Sequence, residues 1–243
     1  MNFISNIYIT IAIIALSIGI YVYLYTNDKK LKKMFLFFTL AGFYWGFTGF
    51  LLRSAASFDQ AYLFQKIGGL WPFCIAVFIH FTLFYIKREK IQKNKFLYYL
   101  MLYIPAVIFS IIEITTDQLG IVTKSPLGFW TSTIPDENIF YLLSTAWSWI
   151  LSTLAIFLMA HYFFTREDPK EKKQALYVLL GISTPVVLSS VTETVLPLLS
   201  LPTIKMTVIG FGLGLFFIGI AIIKYDLFFL FQHGFNTPEL CSG

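Results

Sequence analysis

Residues 67–86 read IGGLWPFCIAVFIHFTLFYI, and the residues that follow are Lys87, Arg88, Glu89 and Lys90. This run holds no Asp, Glu, Lys or Arg. As a helix rising about 1.5 Å per residue it is long enough to cross a hydrocarbon core of about 30 Å. Inside lipid the backbone has no water to bond to, so the run reads as helix despite its β-branched and aromatic content. The basic cluster that ends it is the mark of a cytoplasmic flank.

Six further segments have the same character, at about 3–25, 34–54, 96–115, 140–164, 175–196 and 206–225. Hydrophobic residues make up 57% of the 243 residues, charged residues only 13%, and the mean hydropathy is +0.73. A water-soluble domain carries about 25% charged residues. The expected fold is therefore all-α: a polytopic bundle of seven transmembrane helices over residues 1–230, with 231–243 as a short cytoplasmic tail. The first apolar run has no basic residue before it, and its lysines follow it, so it reads as a retained span and not a cleaved signal peptide.

Charge fixes the expected orientation. Lys29, Lys30, Lys32 and Lys33 fill the first connection; Lys87, Arg88, Lys90, Lys93 and Lys95 the third; Arg166, Lys170, Lys172 and Lys173 the fifth; Lys224 ends the last span. The opposite side has Arg53, Lys66, Lys124 and Lys205. The positive-inside rule places the N-terminus outside and the C-terminus in the cytoplasm. The net charge of +5 is thus a topology signal, with contact to anionic lipid, and does not point to nucleic acid. Cys74 lies inside a span and Cys241 near the C-terminus, so no disulfide is expected, and no Cys/His spacing suggests a metal.

Ionisable residues within spans are candidates for function. Counted along their helices, Arg53, Glu113 and Glu193 reach a similar height near the outer boundary. They either converge on one outward-facing polar pocket or snorkel separately to the headgroups. Trp71, Trp147 and Trp149 lie at a related depth, as an interfacial aromatic belt or as the wall of an apolar pocket. Trp71 precedes Pro72, a pairing that suggests a special bend. The candidate ligand-binding set is Arg53, Trp71, Glu113, Trp147 and Glu193. The long connection at 116–139 is either a lid over the outer mouth or an ordinary loop. His80 and His161 offer a proton relay or, more simply, a hydrogen bond to a neighbouring helix. Pro105, Pro185 and Pro197 are kinks or hinges. Gly210 and Gly214 form a GxxxG face for close helix packing.

Several catalytic classes are missing from the sequence. It has no GxSxG elbow, no HExxH helix and no P-loop. Lys205 and Lys224 bracket the last span, which has no lysine midway for a retinal Schiff base. No internal repeat or pair of interrupted helices suggests a transporter.

Several stretches together resemble the seven-transmembrane N-terminal sensor region of bacterial and archaeal histidine kinases. Span 3 opens Lys66-Ile-Gly-Gly-Leu-Trp71-Pro72-Phe and ends His80-Phe-Thr-Leu-Phe-Tyr85. Span 6 is entered by Lys172-Lys173-Gln174, continues through Leu-Leu-Gly181 to Pro185, and ends at Leu196-Pro197. Span 7 leaves the membrane as Ile-Ile-Lys224-Tyr225-Asp-Leu227-Phe-Phe-Leu230. The match covers essentially the whole chain in the right order and topology.

The resemblance implies a sensor input domain in a plasma membrane, taking a small-molecule or lipid ligand. Its last span would pass the signal out through Tyr225, Leu227 and Leu230. Relatives continue into cytoplasmic modules, often a PAS domain and then a kinase, so a cytoplasmic kinase or PAS module and a second copy of the chain are expected partners. This sequence departs from that layout after Leu230. It shows no phosphoacceptor box, and His233 stands in Gln-His-Gly. The chain by itself is therefore expected not to be an enzyme, and no cofactor is expected. The resemblance carries over no ligand residues. The alternatives are a small-solute transporter and a structural membrane subunit.

Overall fold

The structure is a computed structural model. It describes residues 3–26, 28–86, 95–134, 138–196, 199, 204–225 and 227, with backbone alone at 95–98. In chain order the elements are α1 (Phe3–Tyr25), α2 (Lys29–Ser54), α3 (Phe58–Ile67), a 3-10 turn (Gly68–Leu70) and α4 (Trp71–Ile86). There follow α5 (Lys95–Thr115), β1 (Ile121–Lys124), β2 (Trp130–Thr133), α6 (Ile139–Phe164) and α7 (Pro169–Ser189). A π-helical segment (Ser190–Val195) extends α7, and α8 (Thr207–Tyr225) comes last. Among the described residues six helical segments are long and apolar enough to cross a membrane, and α5 adds the apolar stretch Tyr99–Thr115.

Among the described residues four of the eight α-helices start at a side-chain cap and not at the onset of apolar sequence. Asp28 accepts from the backbone N–H of Lys30 and Leu31, so α2 begins at Lys29, ahead of the expected 34. Asp168 accepts from Glu171 N, with Pro169 in the first turn, so α7 begins ahead of the expected 175. Asn138 caps α6 in the same way. A carboxylate or amide oxygen at such a position satisfies N–H groups that have no partner inside the helix. The lysines of the first and fifth connections consequently lie within the opening turns of α2 and α7, while Arg166 precedes the Asp168 cap.

Span 3 departs from the sequence expectation. It is preceded by a separate helix, α3, which Ser57 caps through Gln60 N. The 3-10 turn at Gly68–Leu70 joins α3 to α4, so the irregularity suggested by Trp71-Pro72 lies just ahead of that pair. The long connection is also structured. β1 and β2 pair antiparallel with Ile121 opposite Thr133 and Lys124 opposite Trp130. Their turn uses Gly128 at φ +84°, a left-handed conformation that costs glycine least.

The packing closes into a ring. α1 packs on α2, α2 on α4, α4 on α6, α6 on α7, α7 on α8, and α8 returns to α1; α5 packs on α4 from beside the ring. At the end that carries the basic residues (the basic end) the ring is filled by phenylalanines. Phe38 stacks on Phe81 with centroids 4.6 Å apart and meets Phe211 at 5.2 Å, while Phe35 meets Phe81 at 5.8 Å. Gly42 leaves room for the Phe211 ring, which a Cβ there would strike. Such rings bury large apolar area with favourable offset geometry. At the opposite end, where the hairpin lies (the hairpin end), polar residues replace the aromatic plug and the ring encloses a cavity.

α7 and α8 approach most closely. A Cβ on Gly214 would lie 2.2 Å from the Gly181 carbonyl oxygen, and one on Gly210 would lie 2.7 Å from Pro185 Cα. Pro185 has no N–H to give to the carbonyl four residues earlier, which is that of Gly181. The freed carbonyl is covered by the bare backbone of Gly214, a weak but recurrent contact between close helices.

Candidate functional site

The cavity has a volume of about 660 Å³, within the range of small-molecule sites. Its wall draws on α1, α2, α3, α4, α5, the hairpin, α6, the π segment and the start of α8. Arg53, Trp71, Glu113 and Glu193 all line it. Trp147 is not on the wall; it packs on Phe109 at 5.7 Å, and Trp149 reaches the cavity instead. An α-helix presents residues two apart to different faces.

Arg53 ends α2 with its guanidinium 3.9 Å from the centroid of the Tyr8 ring and 5.9 Å from that of Phe129, while Nη1 donates to Gly49 O at 3.1 Å. The ring faces stabilise the cation without neutralising it. Tyr8 is 1% exposed, and its hydroxyl donates to the Lys205 carbonyl at 2.7 Å. One aromatic side chain thus ties Arg53 to the segment before α8. Lys205 Nζ donates to Ser132 Oγ of β2 at 2.8 Å, which anchors the hairpin against the wall. Burial pushes the Lys205 ammonium pKa down; Glu193 and Glu113 raise it and Arg53 lowers it further. Lys205 therefore feels all three of the other charged groups across the space.

Glu113 is 6% exposed. Gln65 Nε2 donates to its Oε1 at 3.1 Å and to Gly120 O at 2.8 Å, and the Trp71 side chain is a further hydrogen-bond partner. Lys66 does not enter the cavity: its Nζ donates to the carbonyls of Glu113 and Thr116 and pairs with Asp117 at 2.8 Å. Glu193, in the π segment, accepts from Thr207 N at 3.1 Å and from the Thr207 hydroxyl. A carboxylate there meets the first free N–H of α8, which favours negative charge. Thr192 Oγ1 accepts from Met206 N at 3.3 Å in the same join.

The hairpin contributes Thr123, Ser125, Thr131 and Ser132 to the wall, so this connection lies over the cavity. A second, smaller space of about 50 Å³ adjoins the first. It shares Trp45, Ile75, Ser152, Val186, Ser189 and Thr207 with it and is otherwise lined by Cys74, Pro185, Phe38, Phe211 and their neighbours. The site is polar at the hairpin end and apolar toward the phenylalanine plug.

Tyr8, Gln65, Ser132 and Lys205 also belong to the site, and no motif in the sequence marks them. Lys205 was legible only as a cation on the poorly basic side. Nothing in the sequence distinguishes Tyr8 from an interfacial tyrosine.

The remaining singled-out residues lie elsewhere. His80 Nδ1 is 2.8 Å from Tyr103 Oη, a hydrogen bond between α4 and α5. The Tyr225 ring stacks on Tyr177 at 5.4 Å, and its carbonyl accepts from Gln174 Nε2 at 2.6 Å. Leu227 is buried, its N–H donating to Ala221 O. Leu230, Pro197, His233 and Cys241 lie outside the described residues. Among the described residues no group of His, Cys, Asp and Glu could hold a metal ion.

No curated protein matches the chain. A family model described as the N-terminal 7TM region of histidine kinase matches residues 7–231. That match runs from within α1 through the last helix and takes in the residues that line the cavity, and it supports a sensor-domain role for this membrane protein. The chain belongs to the family of N-terminal seven-transmembrane regions of histidine kinases.

Proposed function

We propose that the chain is an input domain in which a ligand held in the hairpin-end cavity shifts the packing of α7 and α8, and α8 passes that shift to a cytoplasmic output module. The observation that carries this reading is the join between Glu193 and Thr207. A cavity carboxylate holds the N-terminus of the last helix. Along its length α8 is locked to α7 by glycine contacts at Gly181, Gly210 and Gly214. At the basic end Gln174 holds the Tyr225 carbonyl. A change of charge in the cavity therefore acts on one end of a stiff helix pair whose other end leads toward Leu227. A ligand transmits nothing unless it binds the two packings with different affinity.

The cavity faces outward in this reading, because the basic residues gather at the other end and belong in the cytoplasm. The membrane is the plasma membrane of a bacterium or archaeon, and the receiving module is a kinase or PAS domain. The phenylalanine plug below the cavity favours sensing over transport, since a carrier needs a path for its solute.

The test is an in-frame fusion of this chain to a histidine kinase module, reconstituted in lipid, with autophosphorylation followed as stimuli are applied. Alanine at Arg53, Trp71, Glu113 and Glu193 together is expected to lock the kinase output at one level. A combined variant that responds like the parent would rule the cavity out as the input.

A further inference from the structure

We propose that the cavity binds a compact zwitterion, a molecule carrying an ammonium and a carboxylate a few bonds apart, with a free α-amino acid as its simplest form. The inference rests on the sensor reading of this cavity and names the chemistry of its ligand.

Both signs of charge face one space here. Arg53 and Lys205 supply positive groups, Glu113 and Glu193 negative ones. Among the described residues, Lys205, Glu113 and Glu193 form no ion pair with one another. They are held by neutral partners instead: Ser132 for Lys205, Gln65 and Trp71 for Glu113, Thr207 for Glu193. Glu113 is buried and Lys205 and Glu193 are half-buried; charges drawn out of water to this extent without a direct counter-ion are costly, and ordinarily a fold pairs them. The geometry keeps these apart across a cavity of about 660 Å³.

A ligand of one sign would gain from two of the groups and be repelled by the others. A zwitterion satisfies both kinds at once: its carboxylate lies toward Arg53 and Lys205, its ammonium toward Glu113 and Glu193. Charge-assisted hydrogen bonds of this kind are about twice as strong as neutral ones. Tyr8 fixes the cationic half, since its ring carries Arg53 and its hydroxyl holds the Lys205 backbone. At the exposed rim Lys124 lies 5.8 Å from the Trp130 ring centroid, a further positive group near the entry.

The smaller space sets the side-chain preference. A dry apolar cavity of about 150 Å³ accommodates benzene. The adjoining space, at about 50 Å³, takes a group of one or two carbons. Small aliphatic zwitterions are therefore favoured over those with large aromatic or charged side chains.

The experiment uses the full chain purified into lipid nanodiscs without phosphatidylethanolamine. Thermal unfolding and equilibrium dialysis are read against the twenty amino acids, against alanylalanine, and against the amine and the acid with the skeleton of the best binder. At least one small aliphatic amino acid is expected to bind saturably and raise the midpoint. Deleting either charge from it should weaken binding tenfold or more. Glu113→Gln and Lys205→Gln should each weaken it tenfold or more, while Gly219→Ala, away from the wall, leaves it unchanged.

The ligand series on the unaltered chain carries the result even where a variant fails to fold. Binding of the matched acid or amine as well as the amino acid overturns the proposal. So does silence across the panel at millimolar concentration, or displacement of bound amino acid by phosphatidylethanolamine nanodiscs at headgroup concentrations equal to the free amino acid. Tighter binding of the dipeptide than of any free amino acid would keep the zwitterion and assign a peptide source. A chain that binds zwitterions while a fused kinase stays unmoved would refute the sensing and leave this inference standing. A kinase that responds through the same residues to ligands of one charge would do the reverse.

Discussion

Lys205 holds an ammonium group in a short segment between helices, bonded to a serine hydroxyl and facing a cavity. Burial, reinforced by Arg53, lowers its pKa in the folded protein below the ordinary 10.5. The unfolded chain therefore binds more protons between the folded value and 10.5, so stability rises with pH across that window and the cost of the buried cation is fully present below it. The expected result is that the unfolding midpoint of the parent gains on that of Lys205→Gln as pH is raised toward 10.5. A gap that does not change with pH would show that Lys205 is as well solvated as a free lysine. The sequence does not mark this residue, because depth is legible only along a span and Lys205 precedes its span by one turn or less. Arg53, Glu113 and Glu193 are legible as a level because each lies a similar distance along the sequence from the inner start of its apolar run.

The pairing of α7 with α8 rests on absent side chains. Gly214 has no room for a methyl group, because its Cβ would lie 2.2 Å from a backbone oxygen that cannot retreat into a flexible side chain. Gly214→Ala should therefore force the helices apart and lower stability by about 1–3 kcal/mol, the range for overpacking. A Cβ added at Gly219 would meet nothing within 4 Å, so Gly219→Ala should gain up to about 1 kcal/mol from helix propensity. Thermal unfolding of both variants in one detergent checks the pair, and equal effects of the two would contradict the close approach. The same contact predicts a functional signature: Gly214→Ala in the kinase fusion should uncouple ligand binding from output while leaving the ligand affinity within about threefold, since affinity moves tenfold per 1.4 kcal/mol and the cavity wall is not touched. The helix pair was legible in part. Small residues four apart in an apolar run indicate a packing face, but they do not name the partner helix, and the role of Pro185 in freeing the Gly181 carbonyl needs both helices in place.

The ring of helices has two unlike ends, one plugged by phenylalanine and edged with lysine, the other polar, hollow and roofed by a hairpin. The proposed orientation puts the hollow end outside. In a background with Cys74 and Cys241 replaced by serine, a single cysteine at Gln118 should react with a membrane-impermeant maleimide on intact cells. A single cysteine at Glu167 should react only after permeabilisation. The opposite pattern would invert the orientation and make the cavity a cytoplasmic-side site.

The seven apolar segments, the all-helical class and the side on which the basic residues gather were fixed by the sequence alone. These follow from chain length, backbone hydrogen bonding in lipid and local charge, none of which depends on which helices touch. Only the tertiary structure decided that Arg53, Trp71, Glu113 and Glu193 share a wall while Trp147 does not, that Tyr8 and Lys205 complete it, and that residues 121–133 form its roof. The physical reason is that a helix's depth is set by its own sequence, whereas its rotation and its neighbours are set by packing. A level of charges becomes a site only when the ring closes around it.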